Sequence, residues 1–376
     1  MVDETLATLR ARLDQADEEI LRLAKRRLDI VQQIHEVKQR EGVNLFDRSR
    51  EQSMFRRVEK IAETLHLDKA VARKILSTLL DASHAFQEER ARLSPSPAGT
   101  VQQKFLIIGG AGKMGQLFTR TFRERGFQVK ILEKGDAIGG ELIREADIIL
   151  LAVPMEAATQ VAEAISPLVR QDALLCDINS LKEEICDVFR ERCPGETLGL
   201  HPMFGPTVRS FRRQKVVLCP VRSGNRSAWF RTELGRMGFE LIETEPKQHD
   251  RMMALIQVLI HFSTIVTGEA LKRTGVPVED TLPFTSPIYR LELTTIGRLF
   301  AQEPELYAEI EMRNPWSDEV LRHFVDAAED LRKLVVEKNR KAFSDQFRTI
   351  RGYFSGFSEE AMNLSDMIIE TLTEES

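Results

Sequence analysis

Apolar positions in residues 1–92 recur at helical spacing in three runs. The first is Leu6, Leu9, Leu13, Ala16, Ile20 and Leu23, resuming at Val31 and Ile34, and it predicts a helix over about Asp3 to Arg40. The second, Met54, Val58, Ile61 and Leu65, predicts a helix over Ser49–Leu65; the third, with Leu76 and Leu79, predicts one over Lys69–Arg92. Each stripe carries polar groups where its phase calls for apolar ones. Arg27 and Lys38 fall inside the first, Glu51 and Asp47 extend the second backward, and Ser83 and Gln87 extend the third forward. A surface helix keeps such groups on its far face, and burying one unpaired costs roughly a few kcal/mol. Polar groups turned inward on all three helices predict something anionic at their centre. The first helix is too long for two short ones to cover, which predicts an intertwined helical dimer.

Periodicity breaks at Leu93-Ser-Pro-Ser-Pro-Ala-Gly-Thr100, a linker by composition. Short apolar runs then alternate with helical patterns. Strands are predicted at Phe105–Ile108, Gln128–Glu133, Ile148–Val153, Ala173–Ile178, Val216–Cys219 and Leu241–Glu243, in a mainly parallel doubly wound sheet. From about Gln248 the chain returns to helix. His249–Leu271 is apolar all round, which predicts burial at a dimer interface. The organisation expected is a multidomain chain: an all-α domain (1–92), a linker (93–102), an α/β nucleotide-binding domain (103–246) and an all-α dimerisation and substrate domain (247–376).

Composition narrows the partners. Across 376 residues 42% are hydrophobic and 30% charged, with a net charge of −5, which disfavours nucleic acid and anionic membranes. The four cysteines (Cys176, Cys186, Cys193, Cys219) show no metal-ligand spacing, so reduced thiols and no metal site are expected. The chain opens Met1-Val2-Asp3-Glu4 with no secretory pattern, and no uninterrupted apolar run reaches about 18 residues. No membrane span and a cytoplasmic location are therefore expected.

Gly110-x-Gly112-x-x-Gly115 follows a predicted strand and opens a helix, with Lys113 and Met114 between its last two glycines. There the glycines permit a tight turn and close approach of backbone to a pyrophosphate, and the helix N-terminus faces the phosphates, as in Rossmann-type domains. Glu133 ends the second strand 18 residues after Gly115. An acid at that point accepts from ribose hydroxyls and repels a 2′-phosphate, so NAD is favoured over NADP; Lys134 softens the discrimination.

Two segments after later strands carry candidate chemistry, because ligands of such sheets bind at carboxyl ends. One is Asp177-Ile-Asn-Ser180-Leu-Lys182, the other a loop, Gly199-Leu-His201-Pro-Met-Phe-Gly-Pro206. His201 can take the proton of an alcohol as hydride leaves its carbon, and Ser180 can orient the same hydroxyl. In Ser286–Phe300, Arg290 and Arg298 stand eight apart among Leu291, Leu293, Ile296 and Leu299, which suits carboxylate binding.

These motifs carry a resemblance across nearly the whole chain. Leu9-Arg10, the Arg27 to Lys38 run, Asp47-x-x-Arg50-Glu51 and Ser83-x-x-x-Gln87 resemble the all-helical chorismate mutases. The glycine loop, GLHPMFGP and SPIYRLEL-x-x-x-GRLF resemble prephenate dehydrogenase. Their fusion in this order is similar to the bacterial bifunctional chorismate mutase/prephenate dehydrogenases of tyrosine biosynthesis. For the first half the resemblance implies that Arg27, Lys38, Arg50 and a partner chain's Arg10 hold chorismate. Glu51 and Asp47 would meet its hydroxyl side, Ser83 a carboxylate, and Lys38 with Gln87 the ether oxygen. Asp47 also suits a helix N-cap. For the second half it implies NAD-dependent oxidative decarboxylation of prephenate. His201 would be acceptor, Ser180 its companion, Arg298 with Arg290 a carboxylate anchor, and His261 a contact for substrate and for tyrosine as inhibitor. Ile260 stands where the family often has a basic residue, and Lys182 and His249 are lesser candidates. Two alternatives stay open: a monofunctional prephenate or arogenate dehydrogenase whose helical arm only dimerises, and a choice of arogenate over prephenate.

Overall fold

The three amphipathic runs form α1 (Leu6–Glu41), α2 (Arg48–Leu65) and α3 (Lys69–Leu93) in a computed structural model that describes residues 5–41, 48–93, 103–136, 140–208 and 210–374. The α2–α3 turn is set locally: Asp68 Oδ1 accepts from the Ala70 and Val71 amides at 2.7 and 3.2 Å, capping α3. Ala62 of α2 and Ala72, Leu76 and Leu80 of α3 are buried. α1 has 36 residues, about 54 Å at 1.5 Å rise, and its N-terminal half stays open. Leu6, Leu13, Ile20 and Leu23 are each more than 60% exposed, so the stripe that predicted an inner face is uncovered within one chain.

The sheet strands are β1 (Lys104–Ile108), β2 (Gln128–Leu132), β3 (Ile148–Leu151), β4 (Leu174–Asp177), β5 (Glu196–Pro202), β6 (Lys215–Arg222) and β7 (Glu240–Glu243). Their order is β2-β1-β3-β4-β5-β6-β7, parallel throughout except for the antiparallel pair β5–β6. Helices α4 (Lys113–Glu124), α5 (Gly140–Glu145), α6 (Met155–Ile165), α7 (Glu183–Arg192) and α8 (Asn225–Arg236) make the crossovers. β3 and β4 are buried at every residue, as strands covered on both faces should be. Phe105, Phe122, Phe127 and Phe230 cluster in the core, with Phe105 stacked on Phe122 at a ring-centroid distance of 4.3 Å and the other two rings tilted against Phe105. One expectation is corrected here. Gly199, Leu200, His201 and Pro202 belong to β5, not to a loop, because the antiparallel β6 pairs with them as far as Pro202↔Val216.

The C-terminal helices are α9 (Pro246–Met253), α10 (Leu259–Arg273), α11 (Val278–Thr281), α12 (Pro287–Phe300), α13 (Pro304–Arg313), α14 (Ser317–Val336), α15 (Arg340–Tyr353) and α16 (Ser358–Glu374). A π turn, Ala254–Val258, joins α9 to α10, so the helix predicted over His249–Leu271 is interrupted. Such turns cluster at functional sites. Within one chain α10, α12 and α15 have no buried residue; the burial expected of His249–Leu271 is confined to its first part. Pro246–Arg273 is also long and apolar enough to cross a membrane by length and composition, with only 11% of its most apolar stretch buried. The expectation of no such segment rested on uninterrupted runs, whereas here Gln257, His261, Ser263 and Thr264 punctuate the run without lowering its average.

The chain clusters into two compact units. One comprises residues through Asn179 with Cys186–Thr244, the other Ser180–Ile185 with Glu245 onward. The mutase-like helices therefore share a unit with the sheet, and the short strap Ser180–Ile185 groups with the C-terminal helices. All four cysteines are buried and none is in a disulfide, and among the described residues no cluster of ligating side chains could hold a metal.

Candidate active sites

In the helical domain α1 and α3 bring Arg27 and Ser83 together. Arg27 Nη1 donates to the Leu79 carbonyl at 2.8 Å and to Ser83 Oγ, which itself donates to the same carbonyl at 2.6 Å. Ser83 is buried and Arg27 half-buried. Burial lowers the Arg27 guanidinium below its usual value, though such a group stays protonated at physiological pH. Among the described residues its Nε and Nη2 bond nothing, so the edge that grips a carboxylate bidentately is available. Lys38 lies half-exposed on α1 eleven residues on; Arg10 and Arg50 are exposed. Asp47 and the side chains of Glu51 and Gln87 lie outside the described residues.

The glycine loop connects β1 to α4. Gly109 has φ +84° and a Cβ there would sit 2.7 Å from the Ala152 carbonyl oxygen, so the turn requires glycine; the GxGxxG spacing alone left this residue out. A Cβ on Gly115 would collide with the Gly109 carbonyl and lie 2.8 Å from Gly110 Cα. Gly112 is the N-cap of α4, which starts with Lys113, Met114 and Gly115. Glu133 follows β2, and its Oε1 accepts from the Ala111 amide at 2.6 Å. The turn Glu133–Asp136 holds it, with the Glu133 amide donating to Asp136 Oδ2 at 2.8 Å. A cleft of about 560 Å³ is lined here by Gly110, Ala111, Gln116, Arg120, Arg123 and Glu133 among others. Backbone that must approach closely, a helix N-terminus and an acid at the second strand's end fit a dinucleotide with a free ribose.

The remaining site residues divide between the units. His201 is near the end of β5 and only 3% exposed. Ser180 and Lys182 are on the strap of the other unit, with Lys182 fully buried. There the buried Asp250 accepts from the Lys182 and Glu183 amides, each at 2.8 Å, and its Oδ1 lies 2.7 Å from His249 Nδ1. On α10, His261 meets Tyr307 of α13 edge to face, ring centroids 4.8 Å apart. His261 Nδ1 is buried with no hydrogen-bond partner among the described residues, and burial lowers its imidazole. Burial also raises the Tyr307 phenol, opposed by the positive charge of Arg298. One turn further on α13, Glu311 Oε1 is likewise buried and unpartnered among the described residues, and burial raises that carboxyl. Arg290 and Arg298 are exposed on α12, and neither has a carboxylate partner among the described residues. Sequence patterning missed Tyr307, Glu311 and Asp250. The one available signal was the scarcity of tyrosine, three in the chain.

Comparisons with known proteins match three successive segments of the chain. Residues 9–88 match the family "Chorismate mutase type II", 121–231 "Prephenate dehydrogenase, nucleotide-binding domain" and 245–349 "Prephenate dehydrogenase, dimerization domain". The T-protein of Haemophilus influenzae is 31% identical over 368 residues, covering 98% of this chain and 97% of its own length. The T-protein of Enterobacter agglomerans is 32% identical over 350 residues, 93% of each. A crystal structure of prephenate dehydrogenase from Aquifex aeolicus in complex with hydroxyphenyl propionate and NAD+ is similar in fold (TM-score 0.54, 17% identity, 69% of this chain and 99% of that one). With both domain types matched in order and relatives aligned almost end to end, the chain belongs to the T-protein family and is a bifunctional chorismate mutase and prephenate dehydrogenase.

Proposed function

We propose that chorismate is rearranged in the helical domain and that the prephenate formed is oxidatively decarboxylated to 4-hydroxyphenylpyruvate, with the residues acting as follows. The rearrangement is pericyclic and needs no nucleophile. It needs a compact substrate conformer and donors aimed at charge growing on the breaking C–O bond. Arg27, fixed through Nη1, offers its free edge to one carboxylate, with Ser83 behind it. Lys38 and Gln87 donate to the ether oxygen, Arg50 and Arg10 of a second copy hold the polar edge, and Glu51 and Asp47 take the hydroxyl. The Arg27–Ser83–Leu79 arrangement carries this reading. A helical arm that served only to dimerise would place apolar residues there.

Gly110, Gly112, Lys113, Met114, Gly115 and Glu133 would hold NAD, which supplies the hydride acceptor when bound. His201 accepts the proton of the ring hydroxyl and Ser180 orients that hydroxyl. Arg298 and Arg290 anchor carboxylate. Loss of the ring carboxylate as carbon dioxide is driven by aromatisation. The substrate is prephenate rather than arogenate, His261 also contacts tyrosine as an inhibitor, and the protein works in the cytoplasm as a homodimer. The uncovered stripe of α1 and the unburied α10, α12 and α15 support the dimer.

Purified protein given chorismate and NAD should form prephenate, then 4-hydroxyphenylpyruvate with NADH. Arg27→Ala should stop the first step and leave NADH formation from added prephenate within about 2-fold. Equal loss of both activities in a folded variant would overturn the assignment of separate centres.

A further inference from the structure

We infer that Asp250 is a positioning residue for hydride transfer, holding the strap that carries Ser180; the inference rests on the role assigned to Ser180 above. The strap runs into α7, whose first residue is Glu183. The position before it, where Ser, Thr, Asp or Asn would cap the helix, is Lys182, whose side chain cannot accept a hydrogen bond. The local sequence thus leaves the first amides of α7 without a cap. Asp250, about 70 residues downstream, binds the amides at the entry to the helix instead. Its two oxygens accept separately, Oδ1 from Lys182 N–H and Oδ2 from Glu183 N–H, each at 2.8 Å.

Asp250 is itself held in place. It is 1% exposed, its carbonyl accepts from Asn314 Nδ2 at 2.8 Å, and its Oδ1 lies 2.7 Å from His249 Nδ1. An imidazole that donates from Nδ1 completes the carboxylate's shell and keeps Nε2 as the acceptor. A second tie, Arg313 to Glu184 at 2.9 Å, fastens the same strap. Charge-assisted bonds to two successive amides fix the backbone direction two residues from Ser180. A hydroxyl that must orient a reacting alcohol gains from that, since small displacements of such groups cost much of the rate.

The test is a double-mutant cycle on the full-length protein. Asp250→Asn keeps the shape, but its NH2 cannot accept from an amide. It should lower kcat for prephenate oxidation roughly 10–100-fold, the effect of one charged hydrogen bond. KM for NAD and the mutase rate should stay within about 2-fold, and amide exchange at residues 182 and 183 should quicken. In a Ser180→Ala background the same substitution should cost less than about 2-fold. Asn314→Ala, which loosens Asp250 from its other side, should show a smaller loss that also vanishes in that background, and it serves if Asp250→Asn does not fold. Independent, multiplying losses would overturn the inference. So would a normal kcat in Asp250→Asn while Ser180→Ala is slow, an outcome that leaves the Ser180 assignment standing. A silent Ser180→Ala beside a slow Asp250→Asn would instead remove the Ser180 assignment, and the positioning role with it.

Discussion

Arg27 offers the sharpest test of the mutase centre. Its Nη1 is committed to Leu79 and Ser83, so in the binding mode proposed above a carboxylate would meet Nε and Nη2, two parallel donors. Each charge-assisted bond is worth about 1.5–3 kcal/mol, so removing both costs about 3–6 kcal/mol of transition-state stabilisation. At 1.4 kcal/mol per tenfold that is roughly a 10²–10⁴-fold fall in mutase kcat/KM for Arg27→Ala. Arg27→Lys separates charge from geometry: an ammonium supplies the charge but cannot reproduce the fork, and it should recover about a tenth or less of the wild-type rate. Ser83→Ala removes only the support behind Nη1 and should cost roughly 3–10-fold, near one neutral hydrogen bond. Loss of chorismate absorbance measures all three, with NADH formation from prephenate as the internal control. A folded Arg27→Ala variant within tenfold of wild type, or full activity in Arg27→Lys, would refute bidentate binding.

Other expectations follow from the second half of the chain. Glu133→Gln keeps an acceptor for the Ala111 amide but removes the charge, so preference for NAD over NADP should narrow by roughly 5–30-fold in kcat/KM; a wild type that already prefers NADP would contradict the assignment. His201→Asn should lower dehydrogenase kcat roughly 10²–10⁴-fold with KM for prephenate little changed and should erase the rise of rate with pH; a raised KM with intact kcat would make it a binding residue. Because burial lowers His261, the unfolded chain takes up that proton first on acidification. Its contribution is fully present above the unfolded value of about 6.5, declines below it and is lost as pH falls through the lower folded value, so His261→Gln should flatten the acid side of a Tm-against-pH profile taken at fixed protein concentration. Glu311 is raised, so its contribution is present below about 4.3 and lost as pH rises through the folded value. Glu311→Gln should raise Tm at neutral pH, and a lower Tm there would contradict the burial argument.

Much of the fold was legible because its signals are local. α1, α2 and α3 follow from spacing within each helix, and β3 and β4 from apolar runs that need no knowledge of their neighbours. β5 was not, because Gly199 and Pro202 read as loop residues until β4 and β6 supply ladders on both sides. The same divide runs through the sites. Arg27 and Ser83 stood out as polar residues inside apolar stripes, and Glu133 by its distance from the glycines. Tyr307 enters only where α13 meets α10, and Asp250 only where α9 binds the start of a helix about 70 residues upstream. Neither pairing leaves a trace in periodicity. The π turn is equally silent, since Ala254–Val258 has the composition of ordinary helix.

The uncovered half of α1 has a genetic consequence. On the dimer proposed above, each mutase centre draws Arg27 from one chain and Arg10 from the other, so neither centre belongs to a single gene product. A cell carrying one allele with Arg10 substituted and another with Arg27 substituted makes mixed dimers. In those, both lesions fall in one centre and the opposite centre is restored. Two alleles that are each null for the mutase then complement one another.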